Sequence, residues 1–205
     1  MPRLRIFLTV LALLAGLAAW PAMAAVPGGP QETLEKSIAA VIDILKDPAL
    51  AGQGQDTPRR AKLITAIDGV FDSAELARRA VARDWDKFTP DQQTRFTEAF
   101  RKLLERTYMD RIESYTDQKV EYLSETLYGD DRAEVTTKVV SKGTEIPIGY
   151  RMIKKSGWRV YDVVIEGVSL VQNYRNQFGQ ILLKQSPEQL IDRVANMTAQ
   201  PGEHK

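Results

Sequence analysis

The sequence contains no cysteine and a single histidine, and these two shortages exclude several kinds of chemistry. Without cysteine there is no disulfide and no lipid attached through a cysteine, so the fold depends on its apolar core. The one histidine is His204, next to the last residue of the chain. A nucleophile activated by histidine is therefore excluded, and so is a zinc site built from histidine and cysteine.

Two short segments resemble ligand-binding motifs without satisfying them. Gly52-Gln53-Gly54 lacks the third glycine and the preceding strand of a phosphate-binding loop. Asp130 and Asp131 lie in a predicted turn, which offers fewer oxygen ligands than calcium requires. The sequence therefore predicts no metal site, no cofactor and no catalytic residue from a motif.

The first 24 residues are typical of a cleavable signal peptide. Arg3 and Arg5 give a positive start, Ile6–Ala19 is an uncharged apolar run, and Ala22-Met23-Ala24 supplies small residues before the cleavage point. The alternative is a membrane anchor, but the run is shorter than the ~20 apolar residues that a spanning helix needs. We predict a mature protein that starts at Ala25, lies outside the cytoplasm and is not inserted in a membrane.

The mature sequence is nearly neutral and has the length of one domain. Residues 25–205 carry 26 basic and 27 acidic residues and no basic cluster, which makes nucleic acid a poor candidate partner. These 181 residues fall within the ~100–200 expected of a single domain. We predict one domain over residues 25–198 and a flexible tail over residues 199–205.

The spacing of apolar residues changes twice along this domain. It follows the helical interval over residues 31–115, where the capping box Thr89-Pro90-Asp91-Gln92 starts the strongest helix. It alternates over residues 119–166, where short turns separate four predicted strands of an antiparallel meander. Pro147 indicates an edge or a bulge in the third of these strands. Residues 169–198 return to the helical interval, so the sequence predicts an α+β protein.

Asp162 is the candidate for an enzymatic site. It lies on an otherwise apolar strand, and a carboxylate in an apolar pocket near Tyr108, Tyr150 and Tyr174 would have a raised pKa and would serve as a base. The alternative, which we favour, is that Asp162 binds a backbone group or an arginine near the end of its strand.

Three blocks of the sequence resemble one family of proteins. The first is Phe71-Asp72 followed by Leu76-Ala77-Arg78-Arg79-Ala80, and the second is Phe88-Thr89-Pro90 with the helical stripe that follows it. The third runs from Trp158-Arg159-Val160-Tyr161-Asp162 through Gly167-Val168-Ser169 to Phe178. In order and spacing, over about residues 32–198, they resemble the MlaC family, also called toluene-tolerance proteins.

This resemblance implies a soluble periplasmic carrier of phospholipid. It also implies an NTF2-like curved antiparallel sheet packed with a helical subdomain, with acyl chains in an apolar pocket and the headgroup facing water. The implied partners are an outer-membrane lipoprotein–porin complex and an inner-membrane ABC transporter with a lipid-binding ring, in a system that maintains lipid asymmetry. Two alternatives stay open, an NTF2-like enzyme using Asp162 and a periplasmic adaptor that binds protein.

The largest apolar surfaces are expected to face one another and to hold the acyl chains of this cargo. The long helix contributes one wall, the sheet another, and the helix after the sheet closes one side. The predicted lipid-binding residues are Phe100, Leu103, Leu104, Tyr108, Ile112, Val139, Tyr150, Met152, Val164, Leu170, Tyr174 and Phe178. Apolar spacing alone does not distinguish such a cavity from a filled core.

Overall fold

The computed structural model describes residues 28–197 except 53, 55, 116 and 142. The predicted signal peptide, the predicted start at Ala25 and the predicted tail at 199–205 lie outside these residues. The described chain forms six α-helices and five β-strands. The helices are α1 (Pro30–Lys46), α2 (Asp56–Asp68), α3 (Ser73–Val81), α4 (Pro90–Glu113), α5 (Leu170–Leu182) and α6 (Pro187–Asn196). The strands are β1 (Lys119–Tyr128), β2 (Arg132–Ser141), β3 (Thr144–Lys154), β4 (Trp158–Ile165) and β5 (Val168–Ser169).

The predicted α+β class is confirmed, and so is the start signal of the longest helix. Thr89 Oγ1 accepts a hydrogen bond from the backbone N–H of Gln92, and the Gln92 side chain accepts one from the backbone N–H of Thr89. Pro90 occupies the first turn, where its missing N–H removes no helical hydrogen bond. Ser186 and Gln189 form the same reciprocal pair at the start of α6.

The sheet is antiparallel, with the strand order β1-β2-β3-β4-β5. The prediction of four strands was wrong, because β5 adds two residues that pair with the end of β4. Glu166 and Gly167 connect these two strands, with φ values of 50° and 84°. A strand of two residues is too short to show alternation, so the sequence pattern did not reveal it.

The position of Pro147 in the sheet differs from the prediction. Strand β3 lies between β2 and β4, so it is not an edge, and the β3–β4 irregularity falls at Arg151 rather than at Pro147. The Pro147 carbonyl accepts a hydrogen bond from Glu166, on the β4 side. The N–H and C=O of a strand residue point to the same side, so the side of Pro147 that lacks an N–H also faces β4. Pro147 lies one residue beyond Ile148 and Ile165, the last pair between β3 and β4. The proline therefore removes no hydrogen bond from the ladder.

Cross-strand pairs show which residues share a face of the sheet. Tyr150 pairs with Val135 on β2 and with Val163 on β4, and both valines are buried. We call this the inner face. Gly149, the preceding residue, pairs with Val164 and therefore lies on the opposite, outer face.

Buried apolar residues form two separate clusters. The helical core lies among α3, α4, α5 and α6, whereas the sheet core lies between α1 and the inner face of the sheet. Phe71, in the loop between α2 and α3, packs against both. The buried residues of the sheet core are Leu34, Val70, Ala133, Val135, Met152, Trp158, Val160 and Val163.

Candidate functional site

The structure places four of the predicted lipid-binding residues inside the helical core. Their rings and side chains pack closely: the Phe100 ring centroid lies 4.9 Å from that of Tyr174 and 5.2 Å from that of Phe178. Leu103 is 2% exposed beside them. These residues therefore support the fold, and any contact between them and a lipid remains a prediction.

Three more of the predicted residues belong to the sheet core. Met152 is fully buried, and Tyr150 and Leu170 are partly buried against it. Leu34 and Ile38 of α1 pack on the same cluster. The first helix of the structure thus covers this part of the inner face, although the sequence pattern had assigned that position to the long helix α4.

The remaining predicted residues are half-buried. Leu104 packs against the helical core, whereas Tyr108 and Ile112 continue the same stripe of α4 toward its C-terminal end. Burial raises the pKa of Tyr108 to about 12, so its hydroxyl lies in apolar surroundings. Val139 occupies the inner face, paired with Ile146. Half-buried apolar side chains are the ones in this set that keep surface available for a ligand.

Val164 corrects the prediction for the sheet. It pairs with Gly149 and lies on the outer face, opposite Val139, Tyr150 and Met152. The cause is a bulge in β4, where Tyr161 has no partner on β3 and shifts the alternation by one residue. The expectation that Val164 shares a wall with the other three residues is therefore wrong.

Sequence reasoning missed a group of hydroxyls on the inner face. Thr137 pairs with Tyr122 and with Ile148, and the ring of Tyr150 lies on the neighbouring strand. Burial raises the pKa of Tyr150, with the Thr137 hydroxyl opposing that effect, and burial together with Glu35 raises the pKa of Tyr122 to about 12. Within the described residues, the buried Thr137 Oγ1 makes no hydrogen bond within 3.5 Å, although it lies near enough to the Tyr150 hydroxyl to act on its pKa. The sequence signal was one threonine between Val135 and Val139 in an alternating strand.

Asp162 is held in place by hydrogen bonds from other parts of the fold. It is 2% exposed and accepts hydrogen bonds from Arg151 Nη1 at 3.0 Å, Ser169 Oγ at 2.6 Å and the Val171 N–H at 3.0 Å. Its pairing with Arg151 places it on the outer face, whereas Tyr150 lies on the inner face. The favoured interpretation of Asp162 is confirmed, and the predicted group of Asp162 with Tyr150 does not assemble.

A cavity of about 560 Å³ opens between α2 and the end of α4. Asp56, Arg60 and Glu113 line it, and Arg60 donates hydrogen bonds to Glu113 and to Asp110. Its lining contains none of the predicted lipid-binding residues. An ion-paired, open cleft of this kind is a poor match for acyl chains.

Two kinds of feature are absent from the described part of the chain. It contains no group of three or more His, Cys, Asp or Glu side chains placed to hold a metal ion. None of its helices combines the length and the hydropathy that crossing a bilayer requires.

Comparison with known proteins identifies the family. The family model described as MlaC protein matches residues 35–196. The chain belongs to the MlaC family. The match covers the whole sheet and all of α2 to α6, whereas the start of α1, with Leu34 of the sheet core, lies outside it.

Two curated relatives are similar to this chain. The intermembrane phospholipid transport system binding protein MlaC of Haemophilus influenzae is 30% identical over 117 residues, which are 54% of this chain and 55% of that protein. The match therefore spans about half the length of that relative. The toluene tolerance protein ttg2D of Pseudomonas putida is 23% identical over 83% of this chain and 80% of that protein.

A solved structure shares the fold. The phospholipid-binding protein from Ralstonia solanacearum, determined in complex with a phospholipid, matches with a TM-score of 0.73 and 28% sequence identity. The match covers 80% of this chain and 94% of that protein. A protein with this fold thus holds a phospholipid.

Proposed function

We propose that this protein is a soluble periplasmic carrier of phospholipid. It holds the acyl chains in an apolar pocket and moves lipid between the outer and inner membranes. Its single domain over residues 25–198 has an NTF2-like sheet, and the signal peptide at 1–24 directs it to the periplasm. The observation that carries the proposal is the phospholipid bound by the Ralstonia solanacearum protein of the same fold.

The half-buried apolar surface supports this role. We place the acyl chains along Tyr108 and Ile112 of α4 and along Val139 and Tyr150 of the sheet. The close-packed aromatic rings of the helical core hold α4 in place behind them. Burial of two chains of about 15 methylenes each corresponds to roughly 24 kcal/mol relative to water, at ~0.8 kcal/mol for each methylene.

The same estimate explains why the carrier needs partners. Acyl chains in a bilayer are already buried, so transfer into the pocket is close to neutral in free energy and the protein alone gives it no direction. We propose that an outer-membrane lipoprotein–porin complex and an inner-membrane ABC transporter with a lipid-binding ring donate and accept the lipid. In this system, lipid is the cargo and no cofactor takes part.

Mass spectrometry of lipids extracted from the protein purified out of its native host tests the proposal. We expect stoichiometric phospholipid in the extract. An apolar site that carries no lipid would instead favour an enzyme, and a protein without any ligand site would favour an adaptor. The three hydrogen bonds that occupy Asp162 argue against the enzyme.

A further inference from the structure

The inner face of the sheet carries a polar group that stability alone does not explain. Thr137 is fully buried between Tyr122 and Ile148, and its Oγ1 makes no hydrogen bond in the described chain. A buried hydroxyl without a partner is destabilising, and valine would fill the same volume without that cost. Val135 and Val139, two positions away on either side, show that valine suits this strand face.

The neighbours of Thr137 supply a second hydroxyl. Tyr150 lies diagonally across on β3, because Thr137 pairs with Ile148 and Val135 pairs with Tyr150. Tyr150 is half-buried, so its ring is reachable from the surface while Thr137 is not. Both hydroxyls are buried in the apolar surroundings of the sheet core, and the exposed part of the Tyr150 ring adjoins the half-buried surface that we assign to the acyl chains.

A phospholipid carries a matching acceptor at the top of its acyl chains. Each chain joins glycerol through an ester, whose carbonyl oxygen accepts hydrogen bonds and enters an apolar pocket together with the chain. We propose that Tyr150 donates a hydrogen bond to an ester carbonyl of the bound lipid, and that Thr137 is the positioning residue, whose hydroxyl donates to the Tyr150 oxygen when lipid is bound. This inference rests on the proposed function and adds to it the part of the lipid that the protein recognises.

The recognition predicts a preference for ester-linked over ether-linked lipid. Both lipids offer the same headgroup and chains, but the ether lacks the carbonyl oxygen. One net hydrogen bond in a protein corresponds to about a twofold to tenfold difference in affinity. We therefore expect the affinity of the wild-type protein for the diester lipid to exceed its affinity for the diether lipid by about that factor.

The experiment is a competition between diester and diether phosphatidylcholine of equal chain length, presented together in vesicles, with the bound lipids measured by mass spectrometry. Thr137→Val and Tyr150→Phe should each reduce the preference to near unity. Thr136→Val is the matched control, because Thr136 pairs with Gly149 on the outer face, and it should keep the preference.

The outcomes separate this inference from the proposed function. Thr137→Val should melt close to the wild-type temperature, since valine keeps the shape of the buried side chain, so a lost preference does not reflect unfolding. If the wild-type protein binds both lipids equally, or if the two variants keep the preference, ester recognition is wrong and the carrier stands. If the wild-type protein takes up neither lipid, the proposed function fails and this inference fails with it.

Discussion

Asp162 connects the sheet to the helix that follows it. Its carboxylate binds Arg151 on β3, Ser169 at the start of α5 and the Val171 N–H, so three segments meet at one buried side chain. Ser169 also accepts a hydrogen bond from Gln172, which caps α5. Asp162 therefore contributes to the direction in which α5 leaves the sheet, together with the apolar packing of α5 in the helical core.

The first prediction concerns Asp162→Asn. Asparagine keeps the shape but loses the charge, and its amide group places a donor against the donors that now surround the carboxylate. We expect the free energy of unfolding to fall by about 2 kcal/mol, measured by urea denaturation, with lipid binding retained. Glu134→Gln is the control, because Glu134 is a more exposed partner of the same Arg151 and should cost less than about 1 kcal/mol. A stable Asp162→Asn protein that keeps its lipid but loses function would support the enzyme instead.

At the residue scale, prediction from sequence was limited by irregularities of the backbone. Strict alternation from Trp158 places Val160 and Val164 on one face, and the first of these does line the sheet core. The bulge at Tyr161 then reverses the order, so Val164 points outward. Bulges follow from strand twist and cross-strand fit, which a list of residue types does not contain.

At the scale of elements, the starts of α4 and α6 are joined to each other. Arg95 donates two hydrogen bonds to Glu188, at 2.7 and 2.6 Å, and Gln92 donates a third at 3.1 Å. The Arg95 guanidinium, followed by the Gln92 amide, lowers the pKa of Glu188 to about 2. Two helices far apart in sequence are thus connected by one carboxylate on the surface.

The second prediction concerns Glu188→Gln and pH. Because the pKa of Glu188 is lower in the folded protein than the value of about 4.3 in an unfolded chain, its contribution to stability is present above pH 4 and is lost as pH falls toward 2. We expect the variant to have a lower urea midpoint than the wild type at pH 7 and a smaller difference at pH 3. Asp43→Asn is the control, since Asp43 is exposed and has no ion pair among the described residues. If the urea midpoints of the variant and the wild type differ equally at pH 7 and pH 3, the lowered pKa of Glu188 does not contribute to stability.

Sequence signals for elements were strong where they were local. The capping box at Thr89 specified the start of α4 because its donors and acceptors lie within four residues. Strand β5 left no signal, since its position depends on pairing with β4 rather than on its own two residues. The role of α1 as the cover of the sheet also depends on tertiary packing, which apolar spacing alone does not assign.

At the scale of the whole molecule, one predicted interior became two cores. The third prediction separates pocket from core with two substitutions on one sheet. Val139→Trp adds a ring to the half-buried inner face, where we place acyl chains, and should remove co-purified phospholipid with little change in melting temperature. Val164→Trp adds the same ring to the outer face and should keep the lipid.

Mass spectrometry of bound lipid together with thermal melting gives both readouts. A Val139→Trp protein that melts well below the wild type would show that Val139 lies in packed core. A Val164→Trp protein that alone loses its lipid would place the cargo on the outer face.

The two cores also determine when this chain is able to fold. The helical core joins Phe100 to Phe178 and Val194, and a parallel bridge joins Phe71 to Val160 in the sheet. A chain that is synthesised from its N-terminus exposes the apolar stripes of α3 and α4 until α5 and α6 follow. Contacts between such distant residues form slowly, because the loop between them must close first. We therefore expect the first half of the chain to be prone to aggregation until α5 and α6 are available to cover these stripes.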